Sequence, residues 1–194
     1  MPRNFTYIDN SNLFIEGCRL SAVRKHLPGA WTITDAIVNR VIDNEWRLNY
    51  QRLREFVCDG EIDALPTLWG SATEAIGSMI ERHGFRVVTF ARSPSGKEKK
   101  VDVAIAHAMT KDAYSGLIRK GVDEITLVAG DSDFIPVVED LVANGHIVHV
   151  AFWEHASREL KNAAGRFISL NQLHTLMTSG GSRASDAAAN MTIH

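Results

Sequence analysis

The sequence has little cysteine, no long apolar run and no strong excess of charge of either sign. Only Cys18 and Cys58 occur among 194 residues, far apart and in no metal-binding spacing, which excludes a disulfide framework and a zinc-type cysteine cluster. No apolar run approaches the roughly 20 residues that span a bilayer, and the first residues do not form a secretory signal. We therefore expect a cytoplasmic protein without a membrane partner.

The charge balance also limits the possible partners. The formal net charge is -2 and the pI is about 6.4, so the chain lacks the basic character of a strong, nonspecific nucleic-acid binder, although a local basic patch is compatible with it. With 45% hydrophobic residues, the chain is long enough for one domain with a sizeable core. We predict one domain over residues 1–177 and a disordered tail over 178–194, where Gly, Ser, Ala and Asn dominate.

Predicted strands alternate with predicted helices along the chain. This order predicts an α/β fold with a mostly parallel sheet and helices on both faces. No helical period is evident over residues 18–31. The strands are predicted at residues 5–8, 62–69, 86–91, 125–129, 147–152 and 167–170, and the main helices at 34–41, 50–57, 71–83, 101–119, 134–143 and 157–164.

Aspartates follow two of the predicted strands directly. Asp9 ends the first apolar run, and Asp131 and Asp133 follow the run that stops at Gly130. Asp102 follows a cluster of lysines at the start of the longest predicted helix. Because parallel strands place their carboxyl ends at one edge of the sheet, where α/β proteins bind ligands, we expect these acids to converge.

The negative charge of such a group of carboxylates must be neutralised. Two carboxylates about 4 Å apart repel each other by roughly 4 kcal/mol at an effective dielectric constant near 20, so a cation or a proton must neutralise them. Mg²⁺ and Mn²⁺ prefer oxygen ligands, and they make a water molecule acidic enough to attack a phosphodiester at neutral pH. The pattern therefore predicts a Mg²⁺ or Mn²⁺ site.

Ordinary structural roles are open for the same residues. Asp133 could cap the helix that begins near Phe134, and Asp102 could simply interact favourably with a helix dipole. Asn12 could orient Asp9 or cap a turn, and the Ser132 hydroxyl could meet a phosphate or cap a helix.

Three motifs resemble the LabA-like branch of the NYN-domain family, which belongs to the PIN-like nuclease superfamily. They are Tyr7-Ile8-Asp9-Asn10-Ser11-Asn12, Lys100-Val101-Asp102-Val103 and Val128-Ala129-Gly130-Asp131-Ser132-Asp133-Phe134, in the family's order. The resemblance covers roughly residues 5–170. It implies a three-layer Rossmann-like PIN fold with strand order 3-2-1-4-5 and metal-dependent cleavage of RNA. The family commonly has glycine at the position of Asn10, and asparagine tolerates a left-handed backbone better than most residues.

The resemblance also implies roles for single residues. It assigns catalysis to Asp9, Asp102 and Asp131, adds Asp133 as a metal ligand, and makes Asn12 a supporting residue. We add Ser132 as a second supporting residue. For binding single-stranded RNA we predict residues of the basic loop and the Ser11 hydroxyl, although each lysine taken alone is more simply explained as part of a solvated loop; the residues are Arg92, Lys99, Lys100 and Ser11.

Three functions compete at this point. The first is a Mg²⁺- or Mn²⁺-dependent endoribonuclease that uses a metal-activated water molecule. The second is a non-catalytic RNA-binding or regulatory module that keeps the acids for a structural ion. The third is a phosphatase, for which Asp9 would be the nucleophile, but no second acid follows it two residues later. A homodimer is the default expectation for the assembly.

Overall fold

A single parallel sheet of six strands organises the computed structural model, which describes residues 1–58, 66–70, 74–90 and 100–178. The strand order is β3-β2-β1-β4-β5-β6, so the predicted order 3-2-1-4-5 is confirmed and a sixth strand extends one edge. The strands are β1 (Asn4–Asp9), β2 (Thr67–Gly70), β3 (Arg86–Thr89), β4 (Glu124–Val128), β5 (Ile147–Phe152) and β6 (Arg166–Ser169).

Helices cover both faces of the sheet, as predicted. Because side chains alternate along a strand, Ile8 of β1 belongs to the hydrophobic core on one face and Tyr7 to the core on the other. Helices α1, α3, α4 and α8 pack on the Ile8 face, while α5, α6 and α7 pack on the Tyr7 face. The helices are α1 (Asn10–Arg24), α2 (Ile33–Val38), α3 (Tyr50–Cys58), α4 (Glu74–Arg82), α5 (Val101–Tyr114), α6 (Ile135–Ala143), α7 (Arg158–Ala163) and α8 (Asn171–Thr178).

The first helix is longer than the sequence pattern indicated. It continues to Arg24, across residues for which we predicted no regular structure. Its buried stripe does have helical spacing, but it includes Gly17, Cys18, Ser21 and Ala22, whose low hydrophobic contrast hides the period. Gly17 in particular must be small, because a Cβ at this position would lie 2.4 Å from the indole ring of Trp46.

Other boundaries shift for local reasons. Helix α5 ends at Tyr114 instead of residue 119, because Gly116 turns the backbone with a φ of 82°. Ser71, where the predicted helix 71–83 begins, and most of the predicted tail, residues 179–194, lie outside the described residues. Both cysteines are buried and free. None of the helices in the described ranges is long and apolar enough to cross a membrane.

The last helix, α8, was not predicted, and a buried histidine attaches it to α1. His174 is fully buried; its Nε2 donates a hydrogen bond to the carbonyl oxygen of Gly17 (3.2 Å), and its ring stacks on Trp46 with centroids 5.2 Å apart. Arg24 Nη1 lies 3.0 Å from His174 Nδ1. Burial, helped by the positive charge of Arg24, lowers the pKa of His174 to about 4.

We expect this histidine to make the protein less stable in weak acid. The unfolded chain binds a proton at His174 near pH 6.5 and the folded chain only near pH 4, so stability is lost as pH falls between these values. The loss is on the order of 2 kcal/mol. Urea unfolding at pH 7 and pH 4.5 measures it: His174→Gln should lose less stability over this interval than the wild type, and exposed His107→Gln should match the wild type. Equal losses in all three proteins would contradict the assignment.

Candidate functional site

Asp9 lies at the carboxyl end of β1, where the chain turns directly into α1. Its side chain is only 5% exposed, and its carboxylate accepts a hydrogen bond from the backbone N–H of Asn12 (3.0 Å). Asp9 is therefore the N-cap residue of α1. The structure places this predicted ligand at the predicted edge and gives its carboxylate a structural role as well.

Asn12 joins the ends of the two central strands. Its Oδ1 accepts a hydrogen bond from the backbone N–H of Gly130 (3.1 Å), beyond the end of β4. Strands β1 and β4 are paired neighbours, with Ile8 opposite Val128. The Asn12 side chain therefore ties the Asp9 turn to the turn that carries the second acid.

Gly130 is held from three sides, which explains why a glycine stands there. Besides the bond to Asn12, its carbonyl oxygen accepts a hydrogen bond from the N–H of Ser157 (3.0 Å). A Cβ at Gly130 would lie 2.3 Å from the ring of Phe152, closer than any real contact. This fixed glycine sets the direction in which the chain leaves β4.

Asp131 follows Gly130 and is exposed. It is the N-cap residue of the short 3-10 turn Ser132–Phe134, and its Oδ1 accepts a hydrogen bond from the N–H of Asp133 (3.3 Å). The Ser132 hydroxyl lies 3.5 Å from the same oxygen. Asp133 does not cap α6, whose N-cap residue is Phe134; it is exposed in the first turn of the 3-10 segment that Asp131 caps.

Asp102 reaches the same edge because α5 runs antiparallel to the strands. The far end of this helix lies at the amino end of the sheet: Tyr7 donates a hydrogen bond to Asp112 (2.8 Å), and Arg3 donates one to the carbonyl oxygen of Leu117 (2.6 Å). The helix N-terminus consequently lies at the carboxyl edge, and α5 packs against the 3-10 turn. The half-buried Asp102 is its second residue.

The predicted substrate-binding residues divide into two groups. Lys100 is exposed directly before α5, whereas Arg92 and Lys99 lie outside the described residues. Among the described residues, the buried Ser11 hydroxyl has no hydrogen-bond partner, and a Cβ at Gly70, the end of β2, would lie 3.1 Å from it. Ser11 therefore lies between the ends of β1 and β2.

The acids share an edge, but the described residues do not form a compact cluster. Within residues 1–58, 66–70, 74–90 and 100–178, no group of three or more His, Cys, Asp or Glu residues could hold a metal ion. The donor set still suits Mg²⁺, which takes one or two carboxylates, several waters and substrate phosphates instead of a full protein cage. A buried and an exposed carboxylate beyond adjacent strands, Asp9 and Asp131, match that requirement.

One histidine at this edge, His155, was not predicted from the sequence. His155 lies in the loop after β5, and its Nε2 is 2.9 Å from Oε2 of Glu16 on α1. The two residues are 139 positions apart. No local pattern predicts this pair, because only the packing of the loop against α1 creates it.

The strand order, the parallel sheet and the acids at its carboxyl edge define a three-layer α/β domain of the PIN-like type. Residues 6–171 match the model of the NYN domain, and the chain belongs to this family, which implies the PIN-like nuclease superfamily. A crystal structure of a protein of unknown function from Vibrio parahaemolyticus has a similar fold, with a TM-score of 0.58 and 15% identity over 88% of this chain and 94% of that one. Curated proteins gave no significant match.

We expect Gly130→Ala to disrupt the site by steric overlap. The added methyl group would collide with the Phe152 ring, at a cost of about 2 kcal/mol in the free energy of unfolding. Gly77→Ala on α4 is the control: its Cβ would make an ordinary 3.9 Å contact with Val87, and alanine favours a helix by up to about 1 kcal/mol. Chemical denaturation measures both variants. A Gly130→Ala protein as stable as the wild type would contradict the packing described.

Proposed function

We propose that this NYN domain is a metal-dependent ribonuclease of the LabA-like branch, which hydrolyses RNA phosphodiesters with Mg²⁺ or Mn²⁺. One observation carries the proposal: Asp9 ends β1, Asp131 follows the end of the paired strand β4, and the helix bearing Asp102 begins at the same edge. In open α/β sheets this edge is the usual ligand site. A phosphatase gains no support, since nothing in this geometry distinguishes Asp9 as a nucleophile.

We propose that four aspartates coordinate the cation together. Asp9, Asp102 and Asp131 are the proposed principal ligands, and exposed Asp133 is a fourth carboxylate within the Asp131 turn. A bound divalent cation would make a water molecule more acidic and offset the negative charge on the phosphoryl oxygens. Asn12 keeps the two strand ends in register through its hydrogen bond to Gly130.

We propose single-stranded RNA as the substrate. Exposed Lys100, next to Asp102 along the chain, supplies a positive charge for the phosphate backbone. The Ser132 hydroxyl on the exposed Asp131 turn supplies a hydrogen-bonding group, whereas the Ser11 hydroxyl beside Gly70 is buried and out of reach of a strand at the surface. Arg92 and Lys99 remain candidates from sequence alone.

The competing function, an RNA-binding module without catalysis, has one observation in its favour. Asp9 and Asp131 both satisfy backbone N–H groups as N-caps, so each has a structural reason to be present. Activity measurements on variants that preserve capping separate the two functions, since asparagine caps a helix as well as aspartate does.

We therefore expect Asp9→Asn and Asp131→Asn to fold normally and to lose cleavage. The amide keeps the cap but removes the negative charge that holds the cation, so cleavage of a single-stranded oligoribonucleotide with Mn²⁺ should fall about 100-fold or more. Glu139→Gln, an exposed change on α6, should cleave like the wild type. A wild-type protein that binds RNA and cuts nothing with either ion would establish the module instead.

Metal binding itself gives a prediction that does not depend on cleavage. Mn²⁺ at about 100 times its dissociation constant should raise the free energy of unfolding of the wild type by about 2.7 kcal/mol. The melting temperature of Asp131→Asn should respond much less, and EDTA should reverse the wild-type shift. Equal Mn²⁺ shifts in the wild type and in Asp9→Asn and Asp131→Asn would contradict a site at these acids.

A further inference from the structure

A carboxylate and an imidazole form a partly buried pair beside the candidate site. Glu16 Oε2 lies 2.9 Å from His155 Nε2, and the two side chains are 13% and 16% exposed. The other carboxylate oxygen, Oε1, accepts a hydrogen bond from Arg19 one turn further along α1. Glu16 is thus fixed from two directions, and it fixes the orientation of the His155 ring in turn.

Contacts with Gly130 and Phe152 place this pair near the acids. The His155 ring lies against the ring of Phe152, with centroids 6.3 Å apart, and the Phe152 ring covers Gly130. Ser157, two residues after His155, donates its N–H to the carbonyl oxygen of Gly130. The loop that carries His155 is therefore attached to the residue directly before Asp131.

The second nitrogen of the ring, Nδ1, is not fully buried. Among the described residues, His155 has no hydrogen bond other than the one to Glu16, and Nδ1 is not among the buried polar atoms that lack a partner. With Nε2–H donated to Glu16, Nδ1 can take up a proton and become a donor to an external acceptor. The ring is then a cation held between a carboxylate and whatever binds at Nδ1.

The Glu16–Arg19 ion pair leaves the charge of a protonated His155 uncompensated. Glu16 and Arg19 cancel each other, so a protonated His155 leaves the group with one positive charge. Glu154, the other charged residue of this loop, is mostly exposed, and its carboxylate lies 3.8 Å from the Lys161 ammonium group. Protonation of His155 therefore changes the charge of the Glu16–Arg19–His155 group from neutral to positive.

We propose that His155, oriented by Glu16, binds a backbone phosphate of the RNA strand next to the proposed cleavage site. This inference rests on the proposed function for the identity of the ligand, and it adds a phosphate site that lies outside the acidic motifs. The imidazolium donates from Nδ1 to a non-bridging phosphate oxygen while Nε2 donates to Glu16. RNA binding should then be tighter at a pH where histidine is protonated.

Fluorescence anisotropy with a labelled single-stranded oligouridylate of about ten nucleotides, in EDTA, tests this site without metal or cleavage. The wild type should bind about tenfold more tightly near pH 5.5 than near pH 8, and His155→Gln should lose this difference. The slope of log affinity against log salt should fall by about 0.7 in the variant at the lower pH. Glu16→Gln should show a smaller loss of affinity.

The matched control is His149, which also pairs with a carboxylate. His149 Nε2 lies 3.4 Å from Glu124 Oε2, its side chain is 14% exposed, and its Nδ1 is buried. His149→Gln should bind RNA like the wild type at both pH values. In case His155→Gln folds poorly, NMR of the histidine rings in the wild type decides: oligouridylate should shift the His155 resonances and leave those of His149 in place.

The outcomes separate this inference from the proposed function. Unchanged binding by His155→Gln at both pH values, or His155 resonances that RNA does not move, would overturn the phosphate site and leave the nuclease proposal standing. RNA binding that depends on His155, together with no cleavage in Mg²⁺ or Mn²⁺, would support the phosphate site and overturn the nuclease. A wild type that binds no RNA at either pH in EDTA would overturn the phosphate site, while the nuclease proposal would still be decided by cleavage with Mg²⁺ or Mn²⁺.

Discussion

The hydrogen bond from the Gly130 N–H to Asn12 Oδ1 is the contact on which the geometry of the candidate site depends. The sheet alone aligns β1 with β4 only as far as Ile8 and Val128, and the acids lie beyond that pairing. Strand pairing alone does not fix the distance between two turns that leave adjacent strands. The hydrogen bond of the Asn12 side chain fixes this distance, and the packing of Phe152 against Gly130 prevents the second turn from shifting.

The same acids that would bind a cation also begin the helical segments. Asp9 caps α1 and Asp131 caps the 3-10 turn, so the folded chain orients both carboxylates before any ligand arrives. Backbone N–H groups partly compensate these charges, which explains how the edge tolerates several acids among residues that form no compact cluster. Structural and chemical roles are thus combined in single residues, and only variants that preserve the cap can separate them.

The sequence predicted the fold well because the strong periodic segments coincide with the sheet. The predicted strand at 147–152 is β5 itself, and the acids were placed at the correct edge by the rule for parallel strands. Prediction failed where the hydrophobic pattern is weak, or where a feature depends on contacts between residues that are far apart in the sequence. The small buried residues of α1 gave no hydrophobic contrast, the anchoring of α8 depends on His174 meeting Trp46, and the pairing of His155 with Glu16 links residues 139 positions apart.

The most direct measurement of the central claim is the anomalous scattering of a crystal soaked in Mn²⁺. The account predicts a Mn²⁺ peak at the carboxyl edge of the sheet, with oxygen atoms of Asp9 and Asp131 among its ligands and Asp102 within reach of the ion or its waters. A crystal with no anomalous peak at this edge, or with Mn²⁺ bound only elsewhere on the molecule, would contradict it.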